Sequence, residues 1–273
     1  MSRSVLLCPP TYFEVRDQKN PHMRGTVDRE KAQRQWESLR EALLKAGLQV
    51  ETIAPVKGLE DMVFAANQVF VGCHEKVGKF VVPSEMRYQS RQREVPYYVN
   101  WFSSRGYKVI ALDLVGECLE GHGDLIWHPD RSRIWAGYGF RSTRPAIDKF
   151  TAAMLELGIP VTPLQLIDEY CYHLDTCFCP LNSESVLIYA GAFSAESLQI
   201  LRTVWQRVHE LSREEARQFM CNGIVANACY ITPHTNPNLD AILAREGLTS
   251  VLVDTSEFEK SGGSAFCMKT FLD

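Results

Sequence analysis

Along most of this chain, short apolar runs alternate with longer stretches in which apolar residues recur at every third or fourth position. That alternation predicts strands separated by amphipathic helices. "RSVLLCPP" reads as a strand. "DREKAQRQWESLREALLKAG" follows as a helix, with Trp36, Leu39, Leu43 and Ala46 at helical spacing and Gly47 at its C-terminal end, and "LQVETIAP" is the next strand. The unit returns four times. "GKFVVPS" leads through "REVPYYVNWFSSRG" to "YKVIALD". "RIWAGYGF" leads through "RPAIDKFTAAMLELG" to "IPVTPLQL"; Pro145 suits the first turn of that helix, and Ile147, Phe150, Met154 and Leu157 line one face. "SVLIYAGAF" is followed by one long predicted helix, "SAESLQILRTVWQRVHELSREEARQFM", and then by the strand "GIVAN". "ACYITPH" leads through "NPNLDAILAREG", opened by the cap pair Asn236 and Pro237, to "LTSVLVDT". Hairpins are inserted as well, as in "DLIWHPDRSRIWAGYG".

Five loose copies point to units packed around a shared axis. A two-layer α/β sheet would show the same alternation, and periodicity alone does not separate the two. No Ser/Gly-rich or Pro-rich stretch divides the chain, so residues 1–273 are expected to form one domain.

Composition adds exclusions. The chain is 45% hydrophobic and 23% charged, with a net charge of -4. That is ordinary globular composition, without the basic excess that favours nucleic acid or an anionic membrane. The first apolar run, "VLLC", is too short for a signal peptide, and no run approaches the length of a membrane span. Nine cysteines, an odd number without regular spacing, suit a reduced cytoplasmic protein.

Candidate chemistry centres on "CYHLDTCFC", residues 171–179. Read as a strand, it places Cys171, His173, Asp175, Cys177 and Cys179 on one face. At ~3.3 Å per residue its end cysteines stand about 26 Å apart, too far to share one ion. No CxxC pair exists, so no metal is expected. Core packing accounts for the cysteines, but His173 and Asp175 need partners if buried. "EKSGGSAFCMK" offers a nucleophile: Gly262 and Gly263 permit a tight turn just before Cys267. An inert, buried cysteine in a last strand is the competing reading. Asp61 and Asn67 flank "MVFAA", and Glu120 and Asp124 lie in "CLEGHGDLIW", where turn capping is the plain alternative. Arg91 and Arg141 are ambiguous between surface and site.

Taken together, the stretches "DMVFAAN", "SRQRE", "EGHGD", "GYGFRST", "HLD" and "GGSAFC", in that order, resemble the guanidino-group-modifying enzymes of the pentein superfamily. That superfamily includes arginine deiminases, arginine dihydrolases, dimethylarginine dimethylaminohydrolases and amidinotransferases. "LLCPPTYFEV" and "NPHMRG" are similar to the dihydrolase branch. The resemblance implies an α/β fold, a five-bladed α/β-propeller of ββαβ modules around a pseudo-fivefold axis. It implies Cys267 as nucleophile, His173 as general acid and base, and Glu120 as the carboxylate that orients His173. Asp61, Asn67 and Asp175 would hold the guanidinium, and Arg91 and Arg141 the substrate carboxylate. Asp124 would complete the glycine turn, and Asn20 would be a further substrate contact. The reaction so implied adds the Cys267 thiolate to the guanidinium carbon and needs no cofactor. The partner is a small guanidino compound, with neither nucleic acid nor membrane, and a homo-oligomer is left open.

Within the family, Asp175 favours free L-arginine, because methylated nitrogens lose its hydrogen bond. Asn67, where deiminases carry aspartate, favours hydrolysis through citrulline to ornithine; Ala65 departs from the threonine usual in the dihydrolase branch. The alternatives are a dimethylarginine dimethylaminohydrolase, an amidinotransferase and, from another class, a non-catalytic propeller-fold binding protein.

Overall fold

The computed structural model describes residues 3–272. Its strands form five three-stranded sheets. In each, the middle strand pairs antiparallel with one neighbour and parallel with the other. Ser4–Leu7 lies between Lys269–Phe271 and Gln49–Thr52, so the two ends of the chain share one sheet. The other middle strands are Gly78–Pro83, Ile134–Tyr138, Ser185–Ile188 and Cys229–Thr232.

A helix links each middle strand to its parallel partner: Arg29–Lys45, Val95–Ser103, Arg144–Glu156, Ala195–Val204 and Pro237–Arg245. This follows the chemistry of the crossover, since two parallel strands cannot be joined by a tight turn. The helix ends carry the expected signals. Asp28 caps the first helix by accepting from the Lys31 backbone N–H, and Asn236 caps the last by accepting from that of Leu239. Trp36, Leu39, Leu43 and Ala46 are buried, as are Ile147, Phe150 and Met154; Leu157, at the end of its helix, is half-buried. Most middle-strand positions are buried, whereas Gln49–Thr52 is largely exposed. No helix among the described residues is long and apolar enough to cross a membrane.

Two expectations fail, and the second shapes the site. The long helix predicted after "SVLIYAGAF" stops at Val204. Arg207–Glu210 then runs as a strand parallel to Ser185–Ile188, and a short helix, Arg213–Arg217, starts at Ser212. Ser212 and Glu215 form a reciprocal capping box, a start signal inside the stretch read as one helix. "GIVAN" accordingly opens the next sheet, as Ile224–Ala226 paired with Cys229–Thr232, instead of closing the fourth.

The second failure is "CYHLDTCFC". Only Phe178–Pro180 is strand; residues 169–171 and 174–176 are short 3₁₀ turns. Side chains hold the turns: Asp168 accepts from the Tyr170 backbone, Asp124 from the Leu174 backbone, and the Thr176 hydroxyl donates to the His173 carbonyl. His173 and Asp175 therefore do not share a strand face. The thiols of Cys177 and Cys179 donate to nearby backbone carbonyls, so these cysteines pack as the sequence suggests.

Candidate active site

Cys267 lies in the turn that precedes Lys269–Phe271 and is 2% exposed. Gly262 enters that turn with φ +89°, and a Cβ there would stand 2.5 Å from Asn20 Oδ1, so backbone conformation and space both require glycine. Asn20 donates to the Ser261 carbonyl and Tyr172 to the Gly262 carbonyl, which anchors the turn from two sides.

The thiol of Cys267 donates to Asp175 Oδ2 at 3.2 Å. Burial, and then the neighbouring Asp175 charge, push the Cys267 thiol well above its ordinary range. Asp175 is itself pushed up to about 7 by burial, against the stabilising thiol bond and the Lys269 charge. The pair thus rests as a neutral thiol beside a carboxyl that is easily protonated. Asn222, which the sequence reading did not single out, donates to the same sulfur at 3.2 Å and to the Asp175 carbonyl at 2.9 Å.

His173 donates through Nε2 to Glu120 Oε2 at 2.7 Å. That oxygen also accepts from Arg141 at 3.1 Å, while Oε1 accepts from the Arg87 backbone. Burial alone would raise the Glu120 carboxyl, but the Arg141 charge and the His173 bond hold it well below the usual carboxylate range. Glycine at 123 leaves room for the His173 ring and Asn67: a Cβ there would press on the Asn67 amide and lie 3.1 Å from the ring.

A narrow polar cavity with about 20 Å³ of free interior opens on Cys267. Asn20, Asp61, Asn67, Arg91 and Arg141 line it with Cys267, which brings six of the ten sequence-selected residues together. Asp175 joins through Cys267, and His173 through Glu120, which Arg141 holds. Asp124 ends the glycine turn Gly121–Asp124, as expected. It does not line the cavity; its oxygens accept from Ser142 and from the Leu174 backbone, fixing the turn that carries His173. Burial raises its pKa to about 6.

Three buried polar atoms at this place have no partner among the described residues: Asp175 Oδ1, Asn67 Nδ2 and Arg91 Nε. Buried polar atoms are seldom left this way; Asn67 and Arg91 line the cavity, and Asp175 is bonded to Cys267 at its edge. The other predicted contacts are already engaged. Arg91 donates to Asn67, Glu94 and the carbonyls of Asp61 and Phe64. Arg141 donates to Glu120 and the Lys19 carbonyl, with Tyr88 and Tyr172 as ring neighbours. Lys19, also unforeseen, places its ammonium 2.9 Å from Asp61 and 3.4 Å from Glu60. One residue of the 8–28 connection thus satisfies both an acid and an arginine of the cavity.

Comparison with known proteins agrees with this chemistry. The family model described as N,N dimethylarginine dimethylhydrolase, eukaryotic, matches residues 10–271. The bifunctional arginine dihydrolase/ornithine cyclodeaminase AgrE of Nostoc sp. is 36% identical over 96% of this chain, a span that covers 37% of that longer protein. The N(G),N(G)-dimethylarginine dimethylaminohydrolase of Mycobacterium tuberculosis is 34% identical over 97% of this chain and 84% of its own length. A crystal structure of the substrate-bound N-terminal domain of ArgZ, an arginine dihydrolase from the ornithine-ammonia cycle in cyanobacteria, matches with a TM-score of 0.91 at 33% identity, covering 99% of this chain and 98% of that one. With nearly the whole chain matched in both sequence and structure, it belongs to the guanidino-group-modifying family that holds the dimethylarginine dimethylaminohydrolases and the arginine dihydrolases.

Proposed function

We propose that the chain hydrolyses the guanidino group of free L-arginine through a covalent Cys267 intermediate, releasing ammonia. The observation that carries this reading is the set of unpartnered atoms, Asp175 Oδ1, Asn67 Nδ2 and Arg91 Nε, beside a buried thiol. A planar cation with N–H groups on its edge suits Asp175, and an amide donor suits a ureido oxygen. The five three-stranded sheets form a five-bladed α/β-propeller about a pseudo-fivefold axis, as one catalytic domain. Nine free cysteines suit a cytoplasmic setting.

The resting site disfavours a thiolate, and a cationic substrate reverses that. Its guanidinium neutralises Asp175 and supplies a positive charge beside the sulfur. The thiol proton passes to His173, and Sγ bonds to the guanidinium carbon. His173, held by Glu120, returns the proton to the departing nitrogen as the carbon–nitrogen bond breaks and ammonia leaves. The thiouronium that remains is attacked by water, which gives a proton to His173; the carbon–sulfur bond then breaks to give citrulline. Asn67 supports retention of citrulline, whose ureido carbon goes through the same two steps: Sγ adds and ammonia leaves, and water then breaks the carbon–sulfur bond to give a carbamate, whose nitrogen–carbon bond breaks to release carbon dioxide and ornithine. The 8–28 connection, which supplies Lys19 and Asn20, borders the cavity where substrate would enter.

The test follows arginine, citrulline and ornithine by mass spectrometry over time. Ornithine and ammonia are expected, with no turnover by Cys267→Ser. Stoichiometric citrulline would make the chain a deiminase, and full turnover by Cys267→Ser would remove the nucleophile. The matched family model favours a second reading, hydrolysis of dimethylarginine. A kcat/KM for dimethylarginine equal to or above that for arginine would establish it instead.

A further inference from the structure

We propose that Asn222 is a catalytic residue whose amide N–H holds the Cys267 sulfur and stabilises its thiolate. This deepens the proposed function, since it rests on Cys267 as nucleophile. Asn222 is completely buried. Its amide can be oriented from its partners without ambiguity. Oδ1 accepts from the Cys267 backbone N–H at 3.4 Å, which leaves Nδ2 toward the Asp175 carbonyl at 2.9 Å and Cys267 Sγ at 3.2 Å. Two N–H donors thus meet two acceptors. The Asn222 backbone carbonyl accepts from Phe266 at 3.0 Å, and its backbone N–H donates to Phe219 at 2.9 Å, so the residue itself is held firmly.

The need for such a donor follows from the other groups at the sulfur. Burial and the Asp175 carboxylate both oppose ionisation, yet the reaction requires a thiolate. Asp175 accepts from the thiol, while Asn222 donates to it. As the proton leaves, the bond from Asn222 changes from a weak contact with a neutral thiol to a charge-assisted bond in a low-dielectric site, where such bonds are roughly twice as strong. An interaction that grows along the reaction raises kcat more than it lowers KM. A purely structural tie between residues 175 and 267 would need only the contacts to the two backbone groups. The remaining N–H points at the reacting atom.

The experiment measures alkylation of Cys267 by iodoacetamide from pH 6 to 10, read on the Cys267 peptide by mass spectrometry. It compares wild type with Asn222→Ala and with the near-isosteric Asn222→Asp. Loss of a hydrogen bond to a charged group lowers the rate at a fixed pH on the rising limb by about one to two decades. For ammonia release, kcat is expected to fall by a similar factor with KM changed less than about threefold, the split expected for an interaction made in the transition state. A folded variant whose alkylation curve overlays the wild type overturns the proposal. Should neither variant fold, the side-chain amide protons of Asn222 in ¹⁵N-labelled wild type report the same bond. One of them is expected to shift when Cys267 is alkylated, and an unchanged pair overturns the proposal. Alkylation needs no guanidino substrate. It therefore tests Asn222 even if wild type hydrolyses no arginine, the result that would instead remove the proposed function.

Discussion

Replacing Asp175 with asparagine separates two duties of that carboxylate, which pull in opposite directions. In the resting protein Asp175 disfavours a thiolate at Cys267; under the proposed mechanism it also holds the guanidinium once substrate is bound. Unit charges 3.2 Å apart interact by about 5 kcal/mol at an effective dielectric of 20. Taking half of that as realised gives about 2.5 kcal/mol, close to two decades in thiolate population. The gain depends on pH. Asp175 titrates at about 7, so below that it is already neutral and Asp175→Asn should alkylate like wild type. By pH 9 the variant should react about 100-fold faster with iodoacetamide. Arginine hydrolysis should move the other way: a lost charge-assisted hydrogen bond of about 1.5–3 kcal/mol, with the orientation it provides, lowers kcat/KM by at least tenfold to a hundredfold. Stability supplies a third readout. Because the folded pKa is raised, the contribution of Asp175 is fully present below its unfolded value near 3.8. It is lost as pH climbs from there through about 7, at up to about 1.4 kcal/mol per pH unit. Asp124 and Glu94, raised by burial to about 6 and about 7, act with the same sign in both proteins, so the difference between the two melting curves isolates residue 175. Slower alkylation of the variant at pH 9 would refute the reasoning, because it would make Asp175 the base that ionises the thiol.

Two further substitutions probe the cavity from outside the reacting groups. Lys19→Met removes the ammonium from two buried carboxylates, and breaking a buried pair from one side costs about 3–5 kcal/mol. Thermal unfolding should show a lower melting temperature and a larger rise on adding arginine than in wild type, since the substrate brings a replacement cation; an equal rise would show that Lys19 does not occupy the substrate's place. Gly262→Ala meets both a left-handed backbone and a Cβ position 2.5 Å from Asn20, so urea unfolding should show a loss of about 1–2 kcal/mol or more together with weakened turnover; an unchanged midpoint would show that the turn relaxes freely.

What the sequence conveys about this protein depends on how local each interaction is. The helix Arg29–Lys45 is legible because its cap at Asp28, its apolar face and the glycine after it all lie within one stretch. The 3₁₀ turns around His173 are not, because the groups that bend them include Asp124, some fifty positions earlier, and alternation of apolar residues says nothing about that partner. The same reasoning explains which site residues were found. Cys267, His173 and Glu120, the proposed nucleophile, acid–base and orienting carboxylate, stand out by residue type and by family motif. Asn222 in "CNGIVAN" looks like a turn residue, and Lys19 in "DQKNP" like a solvated loop. Each acquires meaning only from a partner far along the chain, Cys267 for one and Asp61 for the other. Both partners are buried, so leaving either contact unmade would strand a polar group without water. The chemistry of the motif residues is thus set by residues whose own sequence context is bland. A search for such residues in this fold should begin from the hydrogen-bond needs of the nucleophile and the acids, since those needs must be met wherever in the chain the donors come from.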